Sequence, residues 1–231
     1  TGNGHITRST EIIRCLKSAG AVVDVVFSGC TGNKVYDASI LECVSFFDGF
    51  SFSCQDGKIH YAQTLKHLSP VQFARDILAF DASGYDVVIT DFEPLTARIA
   101  RKHRLPCIGI GHQYAFLYDI PMGRGARLKR LIMEQFAPCQ YPVGLHWHHF
   151  SRPILPPVIP DHIMPSQQTD PNLILVYLPF ENPDNIAALF KPFTDFRFVV
   201  YGSLFVNPLK NGSTVTWQKF SKTRFFDDLQ R

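Results

Sequence analysis

Apolar residues recur along this chain in two rhythms, a helical spacing and short β-branched runs. Ile12, Ile13, Leu16 and Ala19 keep helical spacing, with Ser9 placed to cap the start and Gly20 the end. Ala21 to Ser28 (AVVDVVFS) is short and β-branched, which predicts a strand and makes this stretch the back half of a β-α-β unit. Ser69-Pro70 opens a predicted helix with Phe73, Ile77 and Phe80 on one face. Tyr85 to Thr90 reads as a buried strand. Pro94 restarts a helix with Leu95 and Ile99 inward and Arg98, Arg101, Lys102 and Arg104 outward. Leu105 to Ile110 predicts a strand, Arg124 to Phe136 a basic helix and Tyr141 to Trp147 a further strand. Residues 29–60 hold Gly29, Gly32, Gly49 and Gly57 with Phe46, Phe47, Phe50 and Phe52. They predict one or two short strands and loops, the phenylalanines serving as core rather than as ligand-stacking rings.

Strands alternating with helices predict an α/β fold with a mainly parallel, doubly wound sheet. Ser151 to Pro171 then holds six prolines (Pro153, Pro156, Pro157, Pro160, Pro165 and Pro171), which excludes a helix or a central strand and reads as a stiff linker. After it the rhythm restarts, with a strand over Asn172 to Leu178, a helix over Pro183 to Phe190 and a strand over Asp195 to Tyr201. The expected organisation is an N-terminal α/β domain over 1–150, a linker over 151–171 and the start of a second α/β domain over 172–231, with a ligand between the two. A Gly-x-Gly opening normally follows a strand, and Phe225 to Leu229 has the spacing of an amphipathic helix. Both ends therefore read as cut from a longer chain.

Composition narrows the class. The 231 residues are 45% hydrophobic and 19% charged, ordinary for a globular chain, so wholesale disorder is excluded. No apolar run approaches the ~18 residues of a membrane span. The net charge of +3 is too mild for a nucleic-acid partner. Six cysteines (Cys15, Cys30, Cys43, Cys54, Cys107 and Cys139) form no C-x-x-C pair and read as reduced thiols of a cytoplasmic protein.

In open α/β sheets ligands bind beyond the carboxyl ends of the strands. The segment Gly2-Asn3-Gly4-His5-Ile6-Thr7-Arg8 is one such place. It fails as a dinucleotide fingerprint, since Thr7 stands where the third glycine belongs, and it lacks the lysine of a Walker loop. What remains is a helix N-terminus with His5 and Arg8, suited to an anionic or developing-anionic group. Imidazoles ionise near neutrality, so His5 is a candidate acceptor for a hydroxyl proton, with a capping role as the alternative. Asp91-Phe92-Glu93-Pro94 follows a predicted strand. Asp91 is placed to orient an imidazole, making Asp91 with His5 a candidate dyad. Helix capping is the alternative, and the preferred one for Glu93. Gly109-Ile110-Gly111-His112-Gln113 repeats the Gly-x-Gly-His pattern, with His112 and Gln113 either binding sugar hydroxyls or lying in a solvated turn. In His146-Trp147-His148-His149, strand alternation puts only His146 and His148 on one face. No third ligand stands nearby, which favours packing over a metal. Arg124 to Arg130 reads as a solvated basic face, with contact to anionic lipid or phosphate as the alternative.

The opening Gly-Asn-Gly-His-Ile-Thr-Arg resembles the first loop of GT-B glycosyltransferases. Asp91-Phe92-Glu93-Pro94, Gly109-Ile110-Gly111-His112-Gln113, Phe136-Ala137-Pro138, Gly144-Leu145-His146-Trp147 and Ile154-Leu155-Pro156-Pro157 resemble one bacterial and archaeal subgroup of that class. The subgroup is distantly similar to the peptidoglycan GlcNAc transferase and the UDP-glucosyltransferases. The resemblance covers most of residues 1–205. It implies two Rossmann-like domains, the first taking the acceptor and the second a nucleotide-diphosphate sugar, with no bound metal and no cofactor. It implies His5 as general base by motif and Asp91 as its partner by topology alone. Gly2, Asn3, Gly4, Arg8, Glu93, His112 and Gln113 become candidate acceptor-side residues. Gly202 and Ser203 are the only donor-side candidates, because the family's Gly-rich loop and following Glu are not within this stretch. Residues 1–231 alone are therefore expected not to turn over. A UDP-linked donor and a sugar, lipid or small-molecule acceptor are the expected partners. The expected location is cytoplasmic, with a candidate inner-membrane contact through Arg124, Arg127, Lys129 and Arg130. Two other readings stay open: a nucleotide-sugar epimerase of the same fold, and a non-catalytic binding protein.

Overall fold

A computed structural model describes residues 3–29, 44–50, 54–55, 58–59, 69–123, 125–161, 163, 170–179, 181–202, 214–219 and 221–230. In chain order its elements begin with α1 (Asn3–Ser18), β1 (Val25–Ser28), β2 (Val44–Phe47), β3 (Cys54–Gln55), β4 (Lys58–Ile59), α2 (Pro70–Ala79) and β5 (Val88–Thr90). They continue with α3 (Pro94–His103), β6 (Cys107–Gly111), α4 (His112–Ala115), α5 (Ala126–Phe136), β7 (Tyr141–Leu145) and β8 (Ile154–Leu155). The last are β9 (Leu173–Tyr177), α6 (Pro183–Phe190), β10 (Arg197–Gly202), β11 (Val215–Lys219) and α7 (Lys222–Leu229). The chain divides into two compact units, Thr1–Ser51 with Leu65–Pro160, and Phe52–Thr64 with Asp161–Arg231.

The first unit carries a parallel sheet in the order β5-β6-β7-β8, with β1 and β2 paired parallel in a separate two-stranded sheet. Strands are shorter than the apolar runs that predict them, because a run becomes a strand only where a neighbour supplies hydrogen bonds. Val88 begins β5 opposite Cys107 and Val25 begins β1 opposite Val44. Among the described residues no strand pairs with the positions before them, and Val22 is 98% exposed. Helix α1 ends as the sequence implies. Gly20 has φ +88°, its N–H reaches the Lys17 carbonyl and the Ala21 N–H reaches that of Leu16, a left-handed closure that glycine makes without steric cost. The start differs from expectation: the helix opens at Asn3, so Ser9 lies in its second turn and is not the cap.

Helix α3 supplies the buried wall of this unit. Leu95, Ala97 and Ala100 are fully buried, and Leu95 with Ile99 packs on Phe73 and Ala82. Burying one such leucine is worth about 2 kcal/mol. Phe47 and Phe50 join this cluster, Phe50 stacking on Phe73 at 4.1 Å. Phe46 departs from the expected core role: it is exposed and stacks on Phe27. Phe52 lies outside the described residues. Short α4 rests directly on the sheet, since a Cβ on Gly144 would stand 2.5 Å from the Ala115 backbone, a contact only glycine permits. Three basic residues predicted to face solvent also hold backbone carbonyls: Lys102, which is exposed as expected, donates to those of Ile77 and Leu78 at the end of α2, Arg98 to that of Gln135, and Arg130 to those of Phe116 and Tyr118. Strand β8, flanked by Pro153 and Pro156, falls inside the Pro-rich stretch. It forms the sheet edge, where a missing N–H is tolerated.

The second unit holds the parallel sheet β11-β10-β9 and the antiparallel pair β3-β4. Val176, Ile186, Phe198, Val200, Val215 and Trp217 form its core. Asn182 caps α6 through its side chain, with Pro183 in the first turn. Strand β11 is not among the strands expected above, although VTWQK carries the apolar–polar alternation of a half-buried strand. No helix among the described residues is long and apolar enough to cross a membrane.

Candidate active site

Asp91 leaves the carboxyl end of β5 in a tightly tied turn. The Thr90 hydroxyl donates to the Glu93 carbonyl at 2.9 Å and accepts from the Glu93 N–H at 3.0 Å. Phe92 between them has φ +52°, a left-handed conformation costly for a bulky residue and found where surroundings over-determine it. Here the surroundings are rings, with Phe92 against Tyr114 at 5.6 Å and Phe136 at 5.1 Å. Glu93 then caps α3, its carboxylate accepting from the N–H groups of Leu95 and Thr96, each at 2.7 Å. That is the role the sequence favoured for Glu93. The cap and the turn fix Asp91 so that its carboxylate faces α1.

Helix α1 answers with three side chains. His5 Nδ1 lies 3.0 Å from Asp91 Oδ1, Arg8 Nε donates to Oδ2 at 3.1 Å, and the Ser9 hydroxyl donates to Oδ2 at 3.2 Å. Arg8 Nη2 also donates to Oδ1, completing a bidentate fork. His5 and Arg8 are three apart and therefore share a helix face. The sequence suits Arg8 to an anionic ligand; its guanidinium is turned onto Asp91. A carboxylate accepts only, so in this contact His5 Nδ1 carries the proton, and in the neutral ring Nε2 is then the acceptor. Arg8 Nη2, 3.1 Å from Nδ1, converges on the same carboxylate oxygen. Burial pushes the Asp91 carboxyl up, but the hydrogen bonds from His5 and Arg8 and the charge of the guanidinium outweigh it and hold the group below the usual carboxylate range.

The end of β6 adjoins this cluster. A Cβ on Gly111 would lie 3.1 Å from Asp91 Oδ1, 3.4 Å from Gln113 Oε1 and 3.6 Å from Arg8 Nη2. Gln113 Oε1 is buried and has no hydrogen-bond partner among the described residues. His112 is exposed. Its Nδ1 donates to the Leu145 carbonyl at 3.1 Å, which again leaves Nε2 as an acceptor. Beneath them Tyr114 is fully buried, its hydroxyl donating to the Ala137 carbonyl at 3.1 Å, and burial pushes its ionisation up. Nearby Cys107 is likewise pushed up to about 12 by burial, so it is an inert thiol.

The third histidine group follows a different logic. Strand β7 ends at Leu145, so residues 146–149 lie beyond it and strand alternation does not order them. Instead the imidazoles of His146, His148 and His149 accept at Nδ1 from the N–H groups of His148, Phe150 and Ser151, at 3.1, 2.9 and 2.9 Å. Among the described residues no group of three or more His, Cys, Asp or Glu is placed to hold a metal ion. Trp147 is 85% exposed.

Of the other residues singled out by sequence, Gly2, Ser203 and Arg124 lie outside the described set, and Asn3 is described only as the first residue of α1. Gly4 is exposed with open space around its Cα. Gly202 is buried at the end of β10, opposite Lys219 of β11. Ser9 was read as a cap and is instead an Asp91 ligand. Its spacing of four from His5 was the available signal, legible once the helix is known to open at Asn3.

No curated protein matches this chain in sequence. Among solved structures, the glycosyltransferase SnogD from Streptomyces nogalater is similar over 95% of this chain and 69% of its own, at 16% identity and a TM-score of 0.47. The model of the family described as glycosyl transferase family 1 matches residues 1–231, and the chain belongs to that family.

Proposed function

We propose that the protein transfers a sugar from a nucleotide-diphosphate sugar, UDP-linked, to an acceptor hydroxyl, with His5 as general base. The observation that carries this reading is the 3.0 Å contact of His5 Nδ1 with a partly buried, ionised Asp91. In the neutral ring this contact orients the imidazole and makes Nε2 the atom that accepts a proton. The acceptor O–H gives its proton to Nε2 as the oxygen attacks the anomeric carbon. The new glycosidic C–O bond forms while the bond from that carbon to the diphosphate breaks, and the nucleoside diphosphate leaves as the anion. Asp91 stabilises the imidazolium that results. His112 and Gln113 at the end of β6 are the acceptor-side groups, with an exposed imidazole and an unsatisfied amide oxygen ready for hydroxyls. Gly4 and Asn3 line the start of α1 beside His5, and Gly202 with Ser203 is assigned to the donor. No metal is assigned a role; helix N-termini and side chains stabilise the leaving group.

A membrane partner fits one further surface. Arg127 and Lys129 of α5 flank the exposed Leu128, Leu131 and Ile132, an apolar strip edged with positive charge that suits an anionic lipid surface. Arg130, committed to backbone carbonyls, is withdrawn from this contact.

The test is product analysis after incubating the full-length protein with labelled UDP-sugars and candidate acceptors. Label in a larger glycoside supports the proposal. An isomerised donor identifies an epimerase, and donor retention with no product identifies a binding protein; either result overturns it.

A further inference from the structure

Asp91 serves two cations at once, and the consequence for His5 depends on both. A lone carboxylate beside an imidazole favours the protonated ring, which cannot act as a base. At this site Oδ1 receives His5 Nδ1–H at 3.0 Å and also Arg8 Nη2, while Oδ2 receives Arg8 Nε at 3.1 Å and the Ser9 hydroxyl at 3.2 Å. The guanidinium thus neutralises much of the charge that would hold a proton on the ring. It also stands 3.1 Å from Nδ1, where its own charge opposes ring protonation. Arg8 and Asp91 expose only 16% and 15% of their side chains, so water screens this balance weakly.

We propose that Arg8 is a positioning residue that sets the protonation state of His5: it fixes the Asp91 carboxylate by a bidentate fork and keeps the imidazole neutral, and so competent as a base, near neutral pH. This rests on the reading of His5 as the base. The charged groups that meet the ring among the described residues are Arg8 on its own helix and Asp91 from the β5 turn. Gly111 at the end of β6 and the uncharged Gln113 of α4 approach the pair from the neighbouring strand. Lysine at this position keeps the charge and loses the fork; glutamine loses both.

The experiment compares wild type, Arg8→Gln and Arg8→Lys in the full-length protein, by the pH dependence of kcat/KM and by nitrogen NMR titration of the His5 ring. In Arg8→Gln the acid limb of the rate profile and the ring titration both move up by about one pH unit, with the rate recovering at high pH. In Arg8→Lys the limb stays near its wild-type position while the rate drops. A uniform loss of rate in Arg8→Gln with an unmoved limb and an unmoved ring titration overturns the proposal and leaves Arg8 a structural clamp. If Arg8→Gln does not fold, the Arg8→Lys limb decides: an upward move by the same amount overturns the proposal. Failure of the base reading shows separately, as full activity in His5→Gln, and the NMR titration still reports what Arg8 does to the ring.

Discussion

One histidine in the first turn of α1 and a group of three beyond the end of β7 belong to the same unit, and their Nδ1 atoms are used in opposite ways. His5 gives its Nδ1 proton to Asp91, which frees Nε2 to accept. His146, His148 and His149 spend the Nδ1 lone pair on backbone N–H groups two residues ahead. In the neutral ring their Nε2 must then carry the proton, so each is a donor and none is a base. The sequence pattern of three histidines in four residues is the more conspicuous, yet the proposed chemistry rests on the lone histidine. The partner of an imidazole, rather than the number of imidazoles, decides what it can do.

The largest effect that tests this contrast is His5→Ala, which lowers the transfer rate by about 10²–10⁴-fold, the usual contribution of a general base, with the circular dichroism spectrum unchanged. Under the same assay His148→Ala and His149→Ala stay within a few-fold of wild type. A deeper loss in either of these would invert the comparison.

Asp91→Asn comes next. Removing the carboxylate that orients the ring lowers the rate by about 10–100-fold. It also changes how stability depends on pH. The Asp91 carboxyl is held below its unfolded value, so its contribution is present above the ordinary carboxylate range and is lost as pH falls through the lowered folded value. Thermal unfolding midpoints followed downward from neutral pH therefore fall less steeply in Asp91→Asn than in wild type. Identical slopes would show that the carboxylate is not held ionised by the fold.

Smaller effects separate scaffold from chemistry. Gly144→Ala forces a methyl into the Ala115 backbone and costs about 1–3 kcal/mol by chemical denaturation. Glu93→Ala removes the α3 cap and costs about 1 kcal/mol. If Glu93→Ala instead leaves stability untouched and raises the KM for the acceptor, the residue binds substrate and the cap is incidental.

Much of the fold was legible before any coordinates. Pro94 and Pro183 open helices where the fixed φ of proline suits the first turn, and Gly20 closes one where only a left-handed residue fits. The buried runs gave the order of strands and helices, though each strand proved shorter than its run. Edge strand β8 has only two residues between prolines and so carries no strand signal in isolation, while β11 is as long as β9 but alternates apolar and polar residues rather than forming a continuous apolar run. Of the site, the His5 and Asp91 pairing was inferred from topology, 86 residues apart in sequence. The roles of Arg8 and Ser9 do not follow from the sequence alone: a cap at Ser9 starts the helix after it, and the single helical face that carries all three side chains exists because the helix opens at Asn3.

What the sequence by itself determined is local: which residues can cap, turn, pair or pack, because those preferences are set by side-chain chemistry and backbone sterics over a few positions. What only the tertiary structure decided is which polar atoms meet. Whether Nδ1 of a histidine finds a carboxylate or a backbone N–H depends on where distant strands end, and a hydrogen bond holds only within a few tenths of an ångström of its proper length.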